Sequence, residues 1–311
     1  MNNFKIVFMG TPDFACNVLK SLIDNEYNVS LVVSQPDKYV GRKHILTNTP
    51  VKQLAIDNNI EVFQPEKIRS DYQKIVDINP DLIITCAYGQ IIPEELINLP
   101  KYGCINVHAS LLPKYRGGAP IHWAKINGEK KTGVTIMYMD KNMDSGDIIS
   151  QEELVINNED TTESLFDKLS ILGANLLIET LPSILENNNN RIKQDETLVS
   201  YAYNIKREDE RINFDDYGVN IINKIRGLYS WPLANMEIDG IEYKILNAKF
   251  EEKKINSVST IVEIDKNKFG ISCKDGVIYI TDIKPFGKKA MDIKSFLNGI
   301  NKEDYKNRKV N

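Results

Sequence analysis

Cys104-Ile105-Asn106-Val107-His108 reads as a short apolar strand that stops abruptly in a loop punctuated by Pro113, Gly117, Gly118 and Pro120. Side chains alternate faces along a strand, so Asn106 and His108 point the same way, two residues apart. An amide donor beside an imidazole at a strand's carboxyl end suits a reacting carbonyl. The amide can hydrogen-bond a developing oxyanion, and the imidazole can donate or shuttle a proton. Taken alone, the pair is as readily a buried histidine satisfied by its neighbours and an asparagine opening a turn. The flanking sequence decides between the two.

The pattern around this strand fixes its setting. Apolar strands are expected at 4–9, 29–34, 61–63 and 81–86, separated by helices at about 14–25, 51–58 and 93–98. Pro12 and Pro50 stand near two helix starts, where the missing N–H costs nothing. Strands alternating with helices imply a doubly wound, mostly parallel sheet covered on both faces. Ligands bind such sheets beyond the carboxyl ends of the strands, which is where Asn106 and His108 fall. The glycine after the first strand invites a dinucleotide-binding reading. Pro12 and Ala15 occupy two of the three glycine positions of that fingerprint, so a nicotinamide dehydrogenase is rejected.

Further along, strands are expected at 132–139 and 148–156, then a long amphipathic helix from 161 to 186. Asn187 to Asn190 is a polar tract, and 187–204 reads as a linker. Beyond it lie one helix near 219–228 and short alternating segments around 234–238, 241–249, 258–264, 269–273 and 277–283. Asp239-Gly240 and Asp275-Gly276 are hairpin-type turns. A small antiparallel barrel or sandwich is expected, an oligonucleotide-binding type of barrel among the options. The division is therefore 1–186, a linker at 187–204, and a β-barrel domain at 205–311.

Composition narrows the chemistry. The 311 residues carry 42% apolar and 26% charged side chains with a net charge of −4, which excludes a uniformly basic nucleic-acid binder. The charge is uneven, however. Residues 1–204 hold 19 basic against 26 acidic side chains, whereas 205–311 hold 20 against 17. A mildly basic C-terminal third suits an anionic partner, and equally a solvated lysine-rich face. Cys16, Cys86, Cys104 and Cys273 are scattered, which indicates neither a zinc site nor a disulfide framework and fits a reducing cytoplasm. Residues 1–10 read as a first strand rather than an export signal, and no membrane-spanning stretch is expected.

A third group joins the pair. Asp144, 36 positions after His108, sits in the Gly-flanked stretch Met143-Asp144-Ser145-Gly146-Asp147. A carboxylate near an imidazole favours its protonated form and fixes its orientation. In isolation Asp144 is also a turn residue, and Asp140 and Asp147 are rivals for the role.

Asn106-x-His108 followed by Ser110-Leu111-Leu112-Pro113, with Asp144 downstream, resembles the 10-formyltetrahydrofolate-dependent formyltransferase family. Gly10-Thr11-Pro12-Asp13-Phe14-Ala15, Ser34-Gln35-Pro36-Asp37, Gly133-Val134-Thr135-Ile136-Met137, Gln194-Asp195-Glu196 and Gly287-Lys288-Lys289-Ala290-Met291 resemble the branch of it whose acceptor is a charged tRNA. These landmarks run in order over nearly the whole chain. The resemblance implies a Rossmann-like formyltransferase domain followed by the OB-like barrel. It implies transfer of the formyl group of 10-formyltetrahydrofolate to the α-amine of methionyl initiator tRNA, with Asn106, His108 and Asp144 catalytic and no metal. Folate would lie against Tyr88, Gln90, Ser110, Leu111, Leu112 and Pro113. Arg42 and Lys43, in the loop from Gln35 to Pro50, would contact tRNA, although the family's Gly-Arg-Gly with two lysines is here Gly41-Arg42-Lys43-His44. Lys288 and Lys289 would add phosphate contacts, while Trp231-Pro232 reads as core or interdomain packing. A cytoplasmic monomer is expected. Rival readings are a formyltransferase for another amine, such as a nucleotide or amino sugar, a formyltetrahydrofolate hydrolase, and a non-catalytic RNA-binding module.

Overall fold

The computed structural model describes residues 4–41 and 44–311. The chain folds into two compact units. The first comprises residues up to Pro120, Lys131–Val155 and Phe166–Tyr203; the second comprises Ile121–Lys130, Ile156–Leu165 and Asn204–Asn311.

The first unit is built on β1 (Ile6–Gly10), β2 (Val29–Val33), β5 (Val62–Phe63), β6 (Leu82–Cys86), β7 (Cys104–His108), β8 (Lys131–Tyr138) and β9 (Ile148–Val155). Among the described residues these form a seven-stranded sheet in the order β5-β2-β1-β6-β7-β8-β9. The pairs from β5 to β7 are parallel, and β8 and β9 join antiparallel. This is the mostly parallel, Rossmann-like sheet expected. β1 and β6 are buried at every position, as strands covered on both faces must be.

One face of this sheet packs under α3 (Gln73–Ile78) and α4 (Glu94–Ile97), through a cluster that includes Val7, Met9, Ile83, Leu96 and Cys104. The other meets α6 (Thr162–Leu185), which approaches β7 closely at Gly173. A Cβ there would stand 2.9 Å from Val107 Cγ1, so the helix lies against the side of β7 opposite Asn106 and His108. α6 is long and apolar enough to cross a bilayer by composition, but half of its apolar window is buried within the protein. α1 (Asp13–Asp24) and α2 (Pro50–Asp57) complete the cover. Thr49 caps α2, accepting from Lys52 N at 3.3 Å.

Between β2 and α2 the chain forms a hairpin of β3 (Lys38–Val40) and β4 (Ile45–Thr47), where a loop was expected. The stretch expected to be a linker is also ordered against the first unit up to Tyr203. Ile192 exchanges backbone hydrogen bonds with Ile148, and Ser200 and Ala202 bond both sides of Arg116.

The second unit opens with most of α5 (Pro120–Ile126). It then carries α7 (Gly218–Gly227) and an antiparallel sheet of β10 (Ala234–Ile238), β11 (Ile241–Glu252), β12 (Ile261–Ile264), β13 (Phe269–Ser272), β14 (Gly276–Pro285) and β15 (Met291–Asp292). The order is β10-β11-β14-β13-β12, with β15 on β14. β11 is bulged at Asn247, which bends the strand. α8 (Ile293–Asn298) follows. The core gathers Phe214, Ile225, Met236, Ile245, Phe269 and Phe296. Trp231, expected to pack, is 71% exposed. Its carbonyl accepts from His122 at 3.3 Å while the indole stays outside.

Candidate active site

Parallel pairing of β6 and β7 sets Thr85 directly beside Asn106. The Thr85 hydroxyl donates to Asn106 Oδ1 at 2.9 Å, which turns the amide so that its two Nδ2 hydrogens face away. His108, two residues on and on the same face, is buried. Its Nε2 lies 3.0 Å from the carbonyl oxygen of Tyr115; a carbonyl can only accept, so this nitrogen carries a proton. Its Nδ1 lies 3.7 Å from Asp144 Oδ2. A doubly protonated ring therefore has an acceptor beside each nitrogen.

Asp144 reaches this place by an indirect route. Because β8 runs antiparallel to β7, the β8–β9 loop begins beside the start of β7, where Met139 N donates to Cys104 O at 2.8 Å. The loop must return along β7 to meet His108. It does so through Asp144 in the left-handed region, φ +49°. Gly146 then passes so close to Tyr138 that a Cβ would sit 2.0 Å from the Tyr138 oxygen, so no larger residue fits. Gly117 N donates to Asp144 Oδ2 at 2.8 Å and fixes the carboxylate. Of the rival acids, Asp140 accepts from Ser145 Oγ at 2.7 Å within the loop, and Asp147 pairs with Arg191 at 3.2 Å. Asp144 is the one of the three placed against the imidazole.

The segment Ser110 to Pro113 is clamped from below by Thr135. Its hydroxyl donates to Ser110 O at 2.6 Å and lies 3.2 Å from Leu112 N, and Gln151 Nε2 donates to Leu112 O at 2.8 Å. Ser110 spends its own hydroxyl on Lys114 O at 2.7 Å, closing the turn. Leu112 is buried with Met137 and Ile148, and the Leu112–Pro113 peptide is cis.

Tyr88 lies in the loop after β6, and its carbonyl accepts from Thr11 Oγ1 at 3.0 Å and Gln35 Nε2 at 3.1 Å. Burial pushes its phenol up to about 12, and the hydroxyl has no hydrogen-bond partner among the described residues. Gln90 instead turns toward residues 65–68, its Oε1 accepting from Ile68 N at 2.9 Å. Arg42 and Lys43 lie outside the described residues; the flanking Tyr39, Val40, Ile45 and Leu46 are exposed. Lys288 and Lys289 are exposed on the turn after β14. Among the described residues, no three His, Cys, Asp or Glu side chains cluster to hold a metal.

The sequence assigned no role to two polar residues, Arg116 and Gln194, the second of them a landmark of the resemblance. Arg116 is 3% exposed and Gln194 is 5% exposed, and they bond to each other beside Asp144.

A Rossmann-like sheet with an amide and an imidazole on one strand, near its carboxyl end, is an α/β arrangement suited to group transfer at a carbonyl. The chain belongs to the formyltransferase family: residues 4–181 match the formyl transferase model and residues 204–301 match the formyl transferase C-terminal domain. Methionyl-tRNA formyltransferases are similar over nearly its whole length. That of Lysinibacillus sphaericus is 48% identical, covering 94% of this chain and 95% of its own. That of Staphylococcus aureus strain MW2 is 49% identical, covering 95% and 96%. Among solved structures, an N-formyltransferase from Helicobacter canadensis, in complex with folinic acid and dTDP-3-aminofucose, superposes with a TM-score of 0.69. It is 22% identical and covers 91% of this chain and 100% of its own, a likeness of fold. A sugar 3N-formyltransferase, solved in the presence of dTDP and 5-N-formyl-THF, reaches 0.66 at 25% identity, covering 92% and 99%.

Proposed function

We propose that this chain transfers the formyl group of 10-formyltetrahydrofolate to the α-amino group of methionyl initiator tRNA. The observation that carries the chemistry is the approach of Asp144 Oδ2 to His108 Nδ1, 3.7 Å, beside an Asn106 amide whose donors are left pointing outward. The acceptor is supported by the relatives named for that activity, which align with both units. The solved sugar 3N-formyltransferase supports the one-carbon donor rather than its own acceptor.

In this reading the formyl carbon lies beside Asn106 and His108. The methionyl amine attacks it; a free α-amine titrates near about 7.7–8.0 and is already largely a nucleophile. The protein's task is positioning and charge stabilisation rather than making a strong base. Asn106 Nδ2 donates to the oxygen that becomes negative in the tetrahedral intermediate. The charged His108 ring, whose Nε2–H stays on Tyr115 O, supports it through Nδ1–H, which no hydrogen bond among the described residues takes up. Asp144 orients the ring and balances its charge. The C–N bond to the folate nitrogen then breaks, the proton lost by the amine passes to that nitrogen, and tetrahydrofolate leaves.

Tyr88, Gln90 and the segment Ser110 to Pro113 would border the folate, Gln90 by shaping its loop. Arg42 and Lys43 would meet the acceptor end of the tRNA. Lys288 and Lys289 would add salt-dependent phosphate contacts from the second unit. The domain at 205–311 thus serves the tRNA and 1–186 the transfer. The chain is read as a cytoplasmic monomer without a membrane partner; the half-buried α6 supports only its reading as a helix of the folded protein rather than a membrane span.

The decisive assay follows formylation of methionyl initiator tRNA and of methionyl elongator tRNA with 10-formyltetrahydrofolate as donor. Formylation of the initiator species in preference to the elongator is expected. Formate release without formylated tRNA would instead establish the hydrolase.

A further inference from the structure

We propose that Gln194, seated by the buried Arg116, is a positioning residue for the transfer: it holds the loop that carries Asp144 and so fixes the carboxylate against His108. This rests on the roles proposed above for those two residues. Gln194 lies at 182–203, between the two stretches that match the family models.

Every polar group of this side chain is used. Both Nε2 hydrogens go to the Asp144 loop, one to Asp144 O and one to Gly146 O, each at 2.8 Å. Oε1 accepts from Arg116 Nε at 3.0 Å and from Arg116 Nη2 at 2.9 Å. The amide therefore cannot rotate without losing all four bonds. Arg116 is itself immobile. Its far side grips Glu196, Nη2 to Oε1 at 2.8 Å and Nη1 to Oε2 at 3.3 Å. Its backbone is bonded on both sides, Arg116 N to Ser200 O at 2.9 Å and Ala202 N to Arg116 O at 2.7 Å.

The residues next to Arg116 touch the site directly. Tyr115 offers the carbonyl that His108 Nε2 meets, and Gly117 N holds Asp144 Oδ2. Residues 194–202 are thus a strap drawn over 115–117. One end of it reaches the backbone of Asp144, and the middle braces the segment that contacts both catalytic side chains. Asp144 needs that hold, because its φ of +49° is a conformation an aspartate leaves readily when nothing determines it. Reacting groups lose about 10²-fold for a misplacement of about 1 Å, so a loosened Asp144 costs turnover rather than donor binding.

Gln194→Glu separates this role from simple packing. A carboxylate keeps its two acceptors for Arg116, so the buried guanidinium stays paired. It has no hydrogen for Asp144 O or Gly146 O. Glu196→Gln is the control, since it alters the exposed end of the same chain of contacts. The expected result for Gln194→Glu is a kcat lower by about 10- to 100-fold, with KM for 10-formyltetrahydrofolate within about two-fold of wild type. Glu196→Gln should stay within about three-fold of wild type in kcat. The 15N resonances of the His108 ring, followed in the substrate-free protein, should shift in Gln194→Glu and not in Glu196→Gln. Unchanged kcat and unchanged ring resonances in Gln194→Glu would overturn the proposal. So would a loss of kcat in step with donor binding and melting temperature, which marks a structural clamp. Because the ring resonances are read without substrate, a wild-type protein inactive on methionyl-tRNA would sink the proposed activity and leave this result standing.

Discussion

Thr85 and Asn106 are direct neighbours across the parallel β6–β7 pair, and the Thr85 hydroxyl lies 2.9 Å from Asn106 Oδ1. That one contact decides which end of the amide is left free, and in the proposed transfer the free end meets the reacting carbonyl. Without it the amide can turn its oxygen toward a developing oxyanion, which repels rather than stabilises. Thr85→Val keeps the shape and removes the hydroxyl, and kcat should fall by about 10-fold, with donor KM little changed. Thr85→Ser should recover most of the rate. Equal kcat for the valine and serine variants would show that the amide holds its orientation unaided.

Asn106→Ala removes the donor itself. Loss of one oxyanion donor costs about 10²–10³ in kcat, because the remaining His108 ring does not make up the hydrogen bond that the amide gives to the charged oxygen. The measurement is steady-state formylation of methionyl-tRNA at saturating donor. Turnover close to wild type would take Asn106 out of the mechanism.

Asp144→Asn leaves an oxygen for Gly117 N but places a neutral amide beside His108 Nδ1. Turnover should fall as severely as for Asn106→Ala, while the dissociation constant for tetrahydrofolate, measured by calorimetry, stays within about two-fold. If folate binding disappears with turnover, Asp144 is holding the loop rather than serving the imidazole.

The strands and the shared face of Asn106 and His108 were readable because their signals are local. β6 and β7 are apolar runs that end where the chain must turn, and the spacing of Asn106 and His108 alone puts them on one face. Asp144 needed the resemblance, since an acid in a Gly-flanked turn has three equivalent claimants until β8 is seen to run antiparallel. The β3–β4 hairpin gave no alternation to read, because none of its strand residues faces a core. Gln194 and Arg116 were read as linker and loop for a different reason. A glutamine in a polar stretch and an arginine just before two glycines are ordinarily surface residues. Their burial follows from a pairing 78 positions apart that no local pattern encodes. Trp231 shows the converse. A tryptophan next to a proline suggested packing, yet it is the backbone there that is engaged, by His122, and the ring is left in solvent.

The second unit holds a buried carboxylate whose pH dependence can be signed. Glu210 is 8% exposed, and its Oε2 accepts from Lys244 Nζ at 2.5 Å, from Arg207, and from Asn235 Nδ2 at 3.3 Å. Burial pushes its carboxyl up, but the hydrogen bonds and charges of Lys244 and Arg207 outweigh that and leave it below the ordinary glutamate range. The folded protein therefore binds fewer protons at this site than the unfolded chain, whose glutamate titrates near about 4.3. Stability from Glu210 is fully present above that value and is lost as pH falls through the lower, folded one. Glu210→Gln removes the charge and leaves Lys244 and Arg207 facing each other. The variant should be markedly less stable than wild type to urea at pH 7, and the gap should close as pH falls from about 5 to 3. Urea midpoints that differ by the same amount at pH 7 and pH 3 would mean that the ionised carboxylate contributes nothing to holding the sheet of this unit together.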